Sequence, residues 1–268
     1  DVQVHYIPHD AQGVHDLAGL QNHLERHQAS GEVAMVSLMH ANNEIGNLVD
    51  LTALSRICEA TGSYLHSDTV QTMAHLPLDF KAIKVHFAAC SGHKFHGPKG
   101  VGFAYVRQGT TTQPFIQGGA QERGHRAGTE NVVGIAGLGA AFNHCVDEME
   151  SDIQAVKEVK AHAIAVLQSA FPGVQFNGMS GDMEKSLYTV LNFYHPTLHE
   201  GGMLNFQLDI NGVQCSGGSA CSSGAVGGSH VLNGLGSPGG TRISFSRYST
   251  KDEVDQFVKI LQDIVAQV

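Results

Sequence analysis

No run of about 18 apolar residues occurs in the 268-residue chain, and its first residues, DVQVHYIPHD, place no apolar segment behind a basic one. The first absence argues against a membrane-spanning helix and the second against an export signal, so a cytoplasmic protein is expected. No C-x-x-C pair occurs among the five cysteines, at positions 58, 90, 145, 215 and 221. Their odd number argues against a disulfide framework, and their spacing argues against a zinc ribbon, so at least one thiol should be free. Basic charge is scarce: 16 Lys+Arg stand against 25 Asp+Glu, a formal net charge of −9. Neither a nucleic-acid backbone nor an anionic membrane fits that balance as a main partner, and a small molecule fits better. Internal repeats are missing too. What remains is an ordinary globular composition, 42% hydrophobic, in a chain long enough for one large core or two modest ones.

The first half alternates helical periods with short apolar runs. DLAGLQNHLERH (16–27) and DLTALSRICEATG (50–62) read as helices. VAMVSLMH (33–40), SYLHSD (63–68), KVHFAACS (84–91) and GVGFAYVR (100–107) read as strands. Such alternation predicts an α/β fold with a mostly parallel sheet, whose ligands sit beyond the carboxyl ends of the strands. Asn43, Asp68 and Ser91 would lie at those ends. Residues 130–171 read as one long helical stretch that tolerates a break near its middle. VQFNG, SLYTVLNFYH and TRISFSR then read as strands of a smaller α+β unit, with helices near 200–208 and after Ser249-Thr250. The expected division is a partial large domain over 1–135 and a small C-terminal domain over 136–268. HYIP near the start looks strand-like. Few βα units precede the long helix and the chain begins without Met, so an N-terminal truncation is expected.

Residues 90–102, CSGHKFHGPKGVG, set Lys94 between His93 and His96. Most lysines are solvated charges. A lysine in an apolar pocket or beside another cation loses its proton more readily and becomes a nucleophile or base. The glycines do not make a nucleotide-binding P-loop, because Pro98 displaces Lys99 by one position and Gly100 stands where a hydroxyl is needed. His23 and His27 lie one helical turn apart in HLERH, but the glutamate is misplaced for a zinc protease and no metal is expected. Taken singly, Asp68 reads as a turn opener, Asn43 as a turn asparagine, Gln71 as a loop residue and Arg242 as a surface charge.

Taken in order, HANNEIG (40–46), HSDTVQ (66–71), SGHKFHGPKG (91–100), SGGSACSSG (216–224) and GGTRISFSR (239–247) resemble the NifS-type cysteine desulfurases. These are pyridoxal-phosphate enzymes of the class V aminotransferase-like group, with the aminotransferase type I fold. The likeness runs over nearly the whole chain, and five motifs in sequence are far harder to match by chance than one. It implies pyridoxal 5'-phosphate as cofactor, with Lys94 as the lysine that attaches to it and moves the substrate proton. Asp68 would be the acid that keeps the pyridine nitrogen protonated, which such chemistry requires of an electron sink. Gln71 and Asn43 match residues near the ring hydroxyl, Asn43 also facing the substrate carboxylate. Ser91 and His93 match phosphate contacts. In GGAQERGHRAGTEN (118–131), Thr129 matches a residue that reaches the phosphate of the neighbouring subunit, so a homodimer is implied. The plainer reading of Thr129 is an ordinary helix N-cap, a role it could fill at the same time. Arg242 matches the arginine that takes the substrate carboxylate through a planar fork.

Cys221 lies in SGGSACSSGAVGGS (216–229), where ten of fourteen residues are Gly or Ser. Such a stretch cannot join a core, and about a dozen Gly-rich residues span roughly 17–20 Å. The resemblance makes Cys221 the sulfur acceptor from L-cysteine, which would leave alanine and a persulfide for an acceptor protein such as an iron–sulfur scaffold. Cys58, Cys90 and Cys145 lie in apolar contexts and are expected to pack, while Cys215 has no assignment. Two departures stand out. Relatives commonly carry an acidic-proline pair before the Ser-His of the loop, and the family's ring-stacking histidine and one phosphate loop lie upstream of anything here. Rival readings are a selenocysteine lyase or other member of the same fold, and a non-catalytic sulfur-relay or scaffold-binding protein.

Overall fold

Helical and strand periods resolve into two compact units in the computed structural model, which describes residues 2–217 and 228–266. One, called here the lysine unit, comprises residues 21–40 and 50–149; the other, the arginine unit, comprises residues 1–20, 41–49 and 150–268. The boundary expected at 135/136 falls within a helix of the lysine unit, α3 below.

Helix α1 (Leu17–Ser30) leads into strand β1 (Met35–Met39). Helix α2 (Leu51–Ala60) begins at Asp50, whose Oδ1 accepts from the Ala53 amide at 2.9 Å, and it buries Leu51, Leu54, Ser55 and Cys58 along one face. Strands β2 (Tyr64–Asp68), β3 (Phe87–Ser91) and β4 (Gly102–Val106) complete a four-stranded sheet of order β1-β2-β3-β4. The first three strands are parallel, as the alternating pattern predicts, and β4 returns antiparallel after the connection over residues 92–101. The Gly102 position is tight: a Cβ there would lie 2.1 Å from the Cys90 carbonyl oxygen, so only glycine lets β4 approach β3.

The long helical stretch breaks at Glu148 into α3 (Val132–Asp147) and α4 (Met149–Ala170). α3 packs Leu138 and Cys145 onto Phe95, Met73, Ala74 and Cys90. Phe95 is fully buried there, worth ~2–3 kcal/mol by area, and it meets Phe142 edge to face at 5.9 Å.

In the arginine unit, β5 (Gln175–Phe176), β6 (Val190–Tyr194) and β7 (Thr241–Ser244) form an antiparallel sheet of order β5-β6-β7. Helices α5 (Pro196–His199), α6 (Leu204–Ile210), α7 (His230–Gly234) and α8 (Lys251–Ala266) accompany it. α8 opens with a capping box: the Thr250 amide donates to Glu253 Oε2 at 2.8 Å, and the Glu253 amide donates to Thr250 Oγ1 at 3.2 Å. Its Val254, Phe257, Val258, Leu261 and Ile264 are buried at helical spacing, with Phe257 against Phe193 of β6. The strand-like HYIP forms no strand. Val2, Val4 and Tyr6 are exposed, and the pairing nearby is a single bridge between His9 and His15; β propensity without a neighbouring ladder does not make a strand. Among the described residues, no helix is long and apolar enough to cross a membrane.

Candidate active site

Parallel register decides what gathers at the rim of the lysine unit's sheet. Asp68, the last residue of β2, pairs with Met39 on one side and Ala89 on the other, so Ser91 ends the adjoining strand on the same rim. Thr69 fastens the two strand ends, its amide and hydroxyl both donating to the Ala89 carbonyl at 3.1 and 2.8 Å. The half-buried Asp68 carboxylate accepts from the Val70 amide at 2.9 Å through Oδ1 alone. Burial, with the Asp68 charge adding to it, pushes the nearby Cys90 thiol up to about 11.

Directly after Ser91 the chain forms a 3-10 turn over Gly92–Phe95, closed by the Gly97 amide on the Gly92 carbonyl at 2.9 Å and capped by His96 at φ 65°. A Cβ at Gly92 would fall 2.7 Å from Leu138 Cδ1, so the glycine lets α3 press against the turn. The turn carries Gly92 and Phe95 inward and His93 and Lys94 outward. Lys94 is exposed, because Phe95 takes the apolar side. Its backbone is held all the same, with His75 Nε2 donating to the Lys94 carbonyl at 2.9 Å. Sequence reading missed His75. No pattern in the surrounding residues marks it; in the structure its neighbour Ala74 is buried at φ 61°, an uncommon conformation for a residue with a Cβ.

Among the described residues, the side chains of Gln71, Ser91, His93, Lys94 and Thr129 make no hydrogen bond or ion pair, and Asp68 Oδ2 makes none. One fixed acid, a primary amine without an ion pair and several free donors are a set that suits a phosphorylated pyridine aldehyde. Thr129 is exposed, and it is not the cap of α3: Asn131 is, accepting from the Gly134 amide at 3.0 Å through its side chain. An asparagine two residues on simply reaches the first turn where Thr129 does not.

The arginine unit brings two further residues into contact. HANNEIG folds as a turn in which Asn42 Oδ1 accepts from the Glu44 and Ile45 amides, with Gly46 at φ 74°. The next residue, Asn43, presents its carbonyl to Arg242 Nη1 at 2.8 Å. Arg242 pairs with Asn192 across β6 and β7, and Asn192 Nδ2 donates to the Glu44 carbonyl at 3.1 Å. Burial lowers the Arg242 pKa from its ordinary value, and the Glu44 charge opposes that shift. Backbone bonds between Arg242 and Ser216, at 2.7 and 3.2 Å, fix the start of the Gly/Ser stretch. Cys221 itself lies outside the described residues. Cys58, Cys90 and Cys145 are buried packing thiols, as expected. Burial pushes Cys58 and Cys215 up to about 11, and Cys215 donates to Asn205 Oδ1 at 3.3 Å.

A parallel sheet with its polar residues at the carboxyl rim, joined to an antiparallel α+β unit, defines the class of protein, and comparison with known proteins agrees. Residues 1–257 match the aminotransferase class-V family model, and the chain belongs to that family of pyridoxal-phosphate-dependent proteins. It is 35% identical over 271 residues to a protein named cysteine desulfurase IscS from Dictyoglomus turgidum, covering 99% of this chain and 66% of that one. It is 37% identical over 277 residues to cysteine desulfurase NifS of Azotobacter vinelandii, covering 99% and 65%. A solved structure titled NifS-like protein superposes with a TM-score of 0.86 at 32% identity, over 99% of this chain and 69% of that one. The fold is accordingly the aminotransferase type I fold. The chain spans about two thirds of the length of the relatives it matches.

Proposed function

We propose that this chain carries cysteine desulfurase chemistry, converting L-cysteine to L-alanine and leaving the sulfur as a persulfide on Cys221. The observation that carries the reading is the rim itself: Asp68 and Ser91 end adjacent parallel strands, and Lys94 follows in the next turn, in a chain similar to proteins of that name. Asp68 would hold the proton at the ring nitrogen of pyridoxal phosphate. Gln71 and Asn43 would serve the ring hydroxyl, and Ser91 and His93 the phosphate, joined by Thr129 of a second copy. When bound, the cofactor supplies a sink for the electron pair released at the substrate carbon. Lys94, exposed and free of ion pairs, would attach the cofactor and move the proton at the substrate α-carbon. Arg242 would orient the substrate carboxylate. The Cys221 thiolate would form a bond to the substrate sulfur as the carbon–sulfur bond breaks, and protonation of that carbon yields alanine. A cytoplasmic homodimer that passes sulfur to an iron–sulfur scaffold protein accords with this reading.

Borohydride reduction of the cofactor-loaded protein followed by mass spectrometry tests it. The cofactor mass is expected on Lys94 and absent from Lys94→Ala, with alanine release falling ~10²–10⁴-fold. Cys221→Ser should keep the attached cofactor and form no persulfide. Desulfuration that survives Cys221→Ser overturns the nucleophile, and a wild-type chain that attaches no cofactor supports the non-catalytic relay instead.

A further inference from the structure

The arginine unit buries one carboxylate that none of the roles above uses. Glu44 is 0% exposed, and one of its oxygens accepts from the Ser229 hydroxyl while Oε1 has no hydrogen-bond partner. Arg242 shows the complementary deficit: Nη1 is committed to the Asn43 carbonyl, and Nε is buried with no partner. A guanidinium anchored through Nη1 keeps its Nε and Nη2 donors along the opposite edge, the fork that matches a carboxylate. An orphan acceptor and an orphan donor of opposite charge thus belong to neighbouring parts of one network. Asn192 joins them, since it faces Arg242 across the β6–β7 pair and binds the Glu44 carbonyl. Buried polar atoms without partners are rare in native proteins and ask for a reason.

We propose that Glu44 is a positioning residue whose buried carboxylate acts as the counter-charge that holds Arg242, keeping its Nε–Nη2 edge open to an amino-acid carboxylate. Three contacts fix that carboxylate's own place. The Asn42 turn binds the Glu44 amide, Asn192 binds its carbonyl, and Ser229 binds its side chain. Ser229 is also the N-cap of α7, accepting from the Leu232 amide at 3.1 Å, so the anion is braced by a helix start as well as by the sheet. The inference rests on the substrate role of Arg242 given under Proposed function, and its test separates the two.

Steady-state kinetics of the cofactor-loaded chain supply the first measurement. Glu44→Gln, which keeps the shape and removes the charge, should raise KM for L-cysteine about tenfold with cofactor attachment intact and kcat changed less than about threefold. Glu44→Asp, which keeps the charge, should restore most of that loss; should Glu44→Gln not fold, Ser229→Ala, which releases the carboxylate, takes its place and should raise KM in the same direction. A KM unchanged or lowered in a folded Glu44→Gln overturns the proposal. If Arg242→Met raises KM while Glu44→Gln does not, the positioning role fails alone; if Arg242→Met leaves KM unchanged, the substrate role fails and takes the positioning role with it. The second measurement needs no turnover. In a double-mutant cycle on unfolding free energy, Glu44→Gln and Arg242→Met should be less damaging together than the sum of the singles, and strict additivity overturns the pairing.

Discussion

The two units hold their polar residues by different means. In the lysine unit the candidate residues sit at strand ends or in turns and are placed by bonds that reach at most about 20 residues along the chain: Asp68 by Val70, the Lys94 turn by Gly92, Gly97 and His75. Its side chains stay uncommitted and Lys94 is exposed. In the arginine unit the corresponding residues are tied across great sequence distances, Asn43 to Arg242, Glu44 to Asn192 and Glu44 to Ser229. Glu44 and Asn192 are wholly buried. The contrast teaches that one unit presents chemistry on a locally built rim, whereas the other builds its chemistry into the core, where each polar group depends on the fold.

Substitutions should separate the two modes. The largest effect is expected from Asn192→Leu. It removes the donor to the Glu44 carbonyl and one of the two acceptors of Asn177 Nδ2, which keeps its bond to the Gly239 carbonyl, and the loss should cost ~2–3 kcal/mol in chemical denaturation. A loss under about 1 kcal/mol would break the contrast. Next is Lys160, fully buried on α4, its ammonium donating to Ser186 Oγ at 2.7 Å and the Leu187 carbonyl at 2.9 Å. Burial lowers its pKa to about 7 from 10.5. Between those values the unfolded chain binds more protons than the folded one, so stability rises with pH across this window and levels off below it. Wild type should therefore gain stability relative to Lys160→Met as pH rises from 7 towards 10, by at most ~1.4 kcal/mol per pH unit. Parallel curves would show that the ammonium is not confined. The smallest effect is expected in the lysine unit. Lys94→Ala, proposed to abolish cofactor attachment, should shift unfolding free energy by less than ~0.5 kcal/mol, and a larger loss would mean that the rim is also structural.

Much of this was legible in the residues. The strand and helix periods give β1 to β4, α1, α2 and the break between α3 and α4. The Thr250/Glu253 pair gives the start of α8. The five ordered motifs lead to the family. Local patterns succeed there because they act through a few bonds' distance: a turn needs its glycine and a cap needs its side-chain oxygen wherever they fall. They also mislead locally, as when HYIP reads as a strand that no partner completes, or Thr129 as a cap that Asn131 provides. His75 and Glu44 escaped notice because nothing in their own neighbourhoods marks them; their partners lie 19 and 185 residues away.

By itself the sequence determined the element order, the mostly parallel sheet and the residue types able to serve pyridoxal-phosphate chemistry, since periodicity and turn composition act over short stretches of chain. Only the tertiary structure decided that Phe95 rather than Lys94 turns inward, that Asn43 grips Arg242, and that a buried Glu44 stands beside that pair. Burial and charge pairing depend on what the rest of the chain packs against each group, and no local pattern contains that information.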